Sequence, residues 1–366
     1  MLNISADAMS ASRNEQIWNY FFHYIWILTL GFGLTSNSVN MMIFAKIGLR
    51  ENVTITLFFL SLSDLVHLVL FCPSTAARMI VQEKPNYAWP FDPMILVAGT
   101  KVYSSLFYDY SSFVSVFLAV VRCLCVAKPL EFKSMITKVR TLFCLISLFL
   151  ISVAIRAPSF TVFRMARVRN PKTNSSFMKL VISSDYYRVN QASDILNENI
   201  VPWLAYTTVV VCVVILLHKL REAAKFRQSL ANTGTEQNDG ASSNRKTGSK
   251  GSSASDSVST SPKRKKTPSE KMSAKDLQVV QSVTLVCIIF ILSQLPFQIA
   301  SVYRLIEPEF DNGGRLNELY QLFSNVKNTC GLLNASINIF VYIKYNSKYR
   351  VTLQATFWGT SQEKSS

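Results

Sequence analysis

The chain has 366 residues and a net charge of +16, yet only 16% of its residues are charged and 49% are hydrophobic, with a mean hydropathy of +0.22. A soluble domain usually carries about 25% charge; here the deficit is gathered into apolar runs with the charges crowded between them, which excludes a pair of soluble domains and points to a membrane. Lys and Arg sit in the loops beside those runs, a placement that suits anionic lipid headgroups and excludes nucleic acid as a partner.

Residues 1–20 are a short polar segment, expected to lie outside the cell, with the sequon Asn3-Ile-Ser5. The first apolar run is too long for the core of a cleavable signal peptide, so the first span is expected to serve as its own insertion signal. Hydropathy places seven spans near 21–45, 54–77, 95–126, 139–160, 197–220, 277–304 and 317–343, each long enough to cross the hydrocarbon core. Basic clusters follow spans one, three, five and seven: Lys46 and Arg50; Lys133, Lys138 and Arg140; Lys219 through Lys275; Lys344, Lys348 and Arg350. By the positive-inside rule the N-terminus is outside, although the outer segment 161–196 is itself basic. A second sequon, Asn174-Ser-Ser176, then falls on the glycosylated side.

Polar groups at bilayer depth are costly unless satisfied, so they are expected to face inward. Span two carries Asp64. In span three Lys101, Ser104, Ser105, Tyr108, Ser111, Ser112 and Ser115 follow helical spacing as one stripe, with Asp109 on its flank. Lys101 and Asp109 stand roughly 12 Å apart along the axis, so each needs another partner. Spans six and seven add Gln294, Gln298 and Ser301, then Ser324, Asn328, Asn334 and Asn338. Such a bundle encloses a hydrated cavity that could hold a ligand or conduct a solute. The seven cysteines fall in or beside predicted helices and show no metal spacing, so they read as helix-packing residues.

Residues 229–275 are rich in Ser, Gly and Lys and are expected to be a disordered cytoplasmic loop. Its Ser and Thr beside Lys263-Arg264-Lys265-Lys266 make it an expected substrate of kinases, and phosphates there would cancel the basic charge and offer acceptors to Arg and Lys clusters on a partner. In the closing segment 344–366, Tyr345, Tyr349, Leu353 and Phe357 recur every four residues beside basic residues, an amphipathic helix suited to the membrane surface, followed by a cytoplasmic tail.

Five motifs, in order and each on its own span, resemble the rhodopsin-like (class A) G-protein-coupled receptors over residues 21–357. They are GLTSNSVN with Asn37, LSLSDL with Asp64, AVVRCLCVAKPL with Arg122 and Pro129, FILSQLP with Phe290 and Pro296, and LLNASINIFVY with Asn338 and Tyr342. The RCLCVAKPL stretch is similar to divergent invertebrate chemosensory or neuropeptide receptors. Departures are Val121 for the usual acid, Gln294 for the switch tryptophan, Ile339 for the seventh-helix proline, and Val97 where the outer disulfide would begin; 161–196 holds no cysteine to complete it.

The resemblance implies an all-α membrane protein, a seven-transmembrane bundle with a short amphipathic eighth helix, in the plasma membrane. It implies a receptor and not an enzyme, whose partners are an extracellular ligand and a heterotrimeric G protein. Lys101, Ser104, Ser105, Tyr108, Asp109, Gln294, Gln298 and Asn328 would line the ligand pocket. Arg122, Asp276, Phe290, Pro296 and Tyr342 would form the coupling and switch machinery, with Asp276 placed to reach Arg122. Asp64, Ser111, Asn334 and Asn338 match positions that surround an allosteric sodium ion; no other cofactor is implied. The rival reading is a seven-helix transporter or ligand-gated channel, for which broken helices and internal symmetry would be needed.

Overall fold

A computed structural model describes residues 13–84, 91–127, 131, 135–169, 176–183, 189, 193, 195–240, 274–311 and 313–359. The chain forms helices α1 (Arg13–Ile47), α2 (Asn52–Glu83), α3 (Met94–Ala127) and α4 (Lys138–Thr161), then strands β1 (Phe163–Arg169) and β2 (Ser176–Ile182). A π-helical turn, Ile195–Ile200, leads into α5 (Val201–Gly240), followed by α6 (Ala274–Ile306), α7 (Asn317–Ser336), α8 (Asn338–Tyr345) and α9 (Ser347–Phe357).

Among the described residues six helical segments are long and apolar enough to cross a membrane: 17–47, 52–83, 94–127, 138–161, 195–222 and 280–306. Their outer surfaces carry exposed Leu28, Val139, Phe143, Leu150, Leu204, Val214 and Leu292. That is the pattern expected where the solvent is hydrocarbon. Prolines 73, 158 and 296 lie inside α2, α4 and α6, where neighbouring helices can re-satisfy the freed carbonyls.

The seventh predicted span is not one continuous helix. It breaks at Ile337 into α7 and α8, where the Phe340 amide turns to the Ile337 carbonyl at 3.2 Å in an i→i+3 bond. No proline drives this break, since position 339 is isoleucine. Tertiary bonds to α1 surround it instead. Asn37 Nδ2 donates to the Ala335 carbonyl at 2.6 Å, and Ser36 Oγ to the Ser336 carbonyl at 2.9 Å. Gly33 lets α1 approach this closely, because a Cβ there would collide with the Ser336 and Leu68 side chains.

Two apolar clusters fill the bundle. One gathers Trp26, Leu30, Leu68, Phe71 and Leu332. The other gathers Phe44, Leu57, Leu118, Leu145, Val209, Val283, Phe290 and Tyr342. Helix α9 starts with the Asn346 side chain accepting from the Tyr349 amide at 3.1 Å, and Tyr349 turns inward beneath Phe44 and Tyr342. Its phenol donates to Asn40 Oδ1 at 2.6 Å, and burial pushes its pKa upward. Phe357 and Trp358 remain exposed, so the expected surface stripe is divided between the core and the outside.

Two expectations are corrected. The fold is not purely helical: β1 and β2 pair antiparallel from Phe163↔Ile182 to Arg169↔Ser176, within a segment read as a loop. Aromatic and β-branched residues on both sides of the Asn170-Pro171 pair, a sequence signal for a turn, favour the hairpin. Helix α5 also continues to Gly240, past the expected start of the unstructured insert at 229. Residues 221–232 contain neither Gly nor Pro and include Ala, Arg, Gln and Leu, all good helix formers. Residues 241–273 lie outside the described residues, as do Asn3 and Asn174.

The hairpin is fixed to the start of α3 without a disulfide. Phe91 pairs with Met178, and the Asp92 amide donates to the Met178 carbonyl at 2.9 Å. One Asp92 carboxylate oxygen caps the Met94 amide at 2.9 Å, and the other accepts from the Leu180 amide at 3.4 Å. Val97, at the expected cysteine position, is buried, and all seven cysteines are free thiols.

Candidate functional site

A cavity of about 150 Å³ lies in the half of the bundle nearest the hairpin, between α2, α3, α4, α5, α6 and α7. Of the pocket residues named from sequence, Lys101, Ser104, Ser105, Tyr108, Asp109, Gln294 and Asn328 all line it. Gln298 does not. It is buried one turn further along α6, and neither atom of its amide has a hydrogen-bond partner among the described residues. The period of α6 explains this: residues four apart are offset by about 40° around a helix, enough to turn Gln298 away from a narrow cavity.

The α3 stripe faces the cavity with different degrees of freedom. Ser104 is locked to α2, its hydroxyl donating to the His67 carbonyl at 3.0 Å, while His67 Nδ1 lies 2.9 Å from the Ser104 carbonyl oxygen. The Tyr108 ring packs at 5.3 Å from His67 and against Gly331, where a Cβ would come within 3.3 Å of it. Gln294 reaches the Ser112 hydroxyl at 3.5 Å, a weak contact. Phe290 closes the cavity and is itself in the core.

The charges are organised in two sets. Asp109 takes a two-pronged bond from Arg156 of α4, through Nε to Oδ2 and through Nη2 to Oδ1 at 3.1 Å. Glu198, in the π turn, lies 3.6 Å from Lys327 of α7 and 3.6 Å from Arg304 of α6. Arg304 also pairs with Asp311 at 2.9 Å, and the Lys327 ammonium sits 4.6 Å above the Phe297 ring. Arg156, Glu198 and His67 were not singled out from sequence. The signal was available for all three: each is an ionisable group within a predicted span, and such groups generally have a function or a partner.

Below the cavity, Asp64 is buried between α3 and α8. It accepts from Ser111 Oγ at 2.5 Å and from Asn338 Nδ2 at 3.3 Å. Asn334 is buried nearby but makes no hydrogen bond to Asp64 among the described residues. The Asn338 amide oxygen is buried without a donor among the described residues. A carboxylate, a hydroxyl and an unmatched amide oxygen are the hard oxygen donors that a small cation takes, so the residues present fit sodium. At the far end, Arg122 and Val121 are both buried, and Tyr342 is fully enclosed against Phe44. Pro296 lies mid-helix in α6. Asp276 belongs to the first turn of the same helix; its side chain, and hence its approach to Arg122, is outside the described residues.

A search among curated proteins finds no match. Comparison with protein-family profiles matches residues 36–342 to the 7 transmembrane receptor (rhodopsin family). That stretch contains the motif residues Asn37, Asp64, Arg122, Phe290, Pro296, Asn338 and Tyr342, and on it the chain belongs to the rhodopsin family of seven-transmembrane receptors.

Proposed function

We propose that this receptor binds an extracellular ligand in the α2–α7 cavity and activates a heterotrimeric G protein at the opposite end of the bundle. The observation that carries the reading is the charged cavity at one end of the bundle and the buried Arg122 at the other, joined by α3. In this reading α7 and α8 together make the seventh span, α9 lies on the cytoplasmic membrane surface, and the N-terminus is outside the plasma membrane. Basic residues at the α9 end meet anionic lipid, and the insert 229–275 is where kinases and arrestin would act. The test is nucleotide exchange on a purified G protein by the receptor in lipid nanodiscs. Exchange above the G-protein-alone rate is expected. Solute flux or conductance in sealed vesicles holding the same receptor, without any exchange, would replace the reading with the transporter or channel.

The Asp64 site gives the receptor reading a second handle. A bound sodium ion would keep Asp64 ionised and would hold α3 and α8 in the arrangement described here. If it prefers the inactive state, linkage requires that sodium lower agonist affinity. Agonist curves measured in sodium and in a large organic cation should therefore separate in the unmodified receptor and coincide in Asp64→Asn. Coincident curves in the unmodified receptor would remove sodium from the account.

A further inference from the structure

We infer that the cavity is built for a small organic anion, with a carboxylate set against Lys101 and an apolar body about the size of one ring. The inference rests on the cavity being the ligand site. Its lining contains three cations, Lys101, Arg156 and Lys327, and two acids, Asp109 and Glu198. Both acids are already engaged. Asp109 is held by the Arg156 fork, and Glu198 is shared by Lys327 and Arg304. Lys101 makes no hydrogen bond and no ion pair among the described residues. Among the charged groups acting on it, the cations Arg78, Lys327 and Arg156 are opposed by Glu198.

The three possible ligand charges meet this arrangement differently. A cation would face a surplus of positive charge, with both acids of the described lining already engaged. A neutral ligand that filled the cavity would strip water from the Lys101 ammonium and return nothing of equal strength. A carboxylate would supply the missing counter-ion through a charge-assisted bond, and it could accept further bonds from Ser105 or Asn328 in the same lining. The remaining walls are aromatic, with Phe113, Phe290, Phe297 and Tyr320 around the space. At about 150 Å³ the enclosed volume matches a cavity that holds benzene, which sets the size of the apolar body.

The test uses three probes of one shape on purified receptor in nanodiscs: 3-phenylpropanoate, 3-phenylpropanamide and 3-phenylpropylamine. Binding is read as a rise in the thermal unfolding midpoint with probe concentration. The carboxylate is expected to bind about tenfold more tightly than the amide, and the amine not to bind. Lys101→Gln should bring carboxylate and amide curves together, and Lys101→Arg should keep them apart. The comparison of probes on the unmodified receptor needs no variant, so a misfolded Lys101→Gln leaves the test intact. Equal binding of carboxylate and amide, or no binding of the carboxylate up to its solubility limit, overturns the inference. Ligand-free nucleotide exchange is measured separately on the same preparation. Its absence counts against the receptor reading and leaves the preference for an anion standing.

Discussion

Replacing Arg156 with Met is expected to destabilise the protein by about 3–5 kcal/mol, because it leaves the Asp109 carboxylate without its partner inside the bundle. The two side chains are only 17% and 18% exposed, and they join α3 to α4 across the wall of the cavity. Asp109→Leu should cost a similar amount by stranding the guanidinium. The double variant Asp109→Leu/Arg156→Met should be close to the unmodified protein or more stable, since an apolar pair of similar volume removes both desolvation costs together. Thermal unfolding of the detergent-solubilised receptor, with surface expression as a second readout, distinguishes the cases. A loss below about 1 kcal/mol for either single variant would mean that water entering the cavity screens the pair as it screens surface bridges. A double variant as unstable as the singles would mean that the charges shape the helix packing rather than merely compensate each other.

Arg122→Ala is expected to abolish G-protein activation at matched surface expression, and Asp276→Asn to raise ligand-independent activation several-fold. Arg122 stands in the last two turns of α3 with Val121 as its neighbour, so in the proposed reading the acid that commonly accompanies such an arginine is supplied by another segment. Asp276, on the first turn of α6, is the residue we propose for that role. A bridge of the strength of a solvent-exposed pair, about 1 kcal/mol, corresponds to several-fold in the population of an active state. Removing Asp276 therefore shifts an equilibrium, whereas removing Arg122 deletes a group that would touch the G protein in its active state. Basal nucleotide exchange reads both. An unchanged rate in Asp276→Asn would show that packing alone holds the inactive state, and retained signalling in Arg122→Ala would remove the arginine from the interface.

The parts of the fold visible in the sequence are those written in hydropathy. Helix ends from α1 to α4 lie close to the predicted spans, except that α1 and α2 run further at their polar ends, because an apolar window marks where the bilayer is and not where helical hydrogen bonding stops. The β1–β2 hairpin is hard to see in the sequence because Arg164, Arg167, Arg169 and Lys179 interrupt its apolar residues, and charge outside a membrane says little about backbone form. The break at Ile337 was hidden because its cause is contact with α1 rather than a proline. In the cavity, the α3 stripe was legible from its spacing, since residues on one helix share a face by geometry alone. The partners of that stripe were not, because Arg156, Glu198 and Lys327 come from three other segments and only packing brings them together. Gln298 shows the converse limit, a polar residue in a span that the helix turns away from the cavity.

Asp92 has a consequence for how the protein can be made and handled. The β1–β2 cap is fastened to the start of α3 by the Asp92 carboxylate and the Asp92 and Leu180 backbone amides, and 161–196 contains no cysteine. Nothing in that joint needs an oxidant to form or is broken by a thiol. The mature shape of the cap is therefore open to cell-free synthesis in the presence of dithiothreitol, and reductant in the purification buffer, which would loosen a cross-linked cap, protects the seven free thiols here at no structural cost.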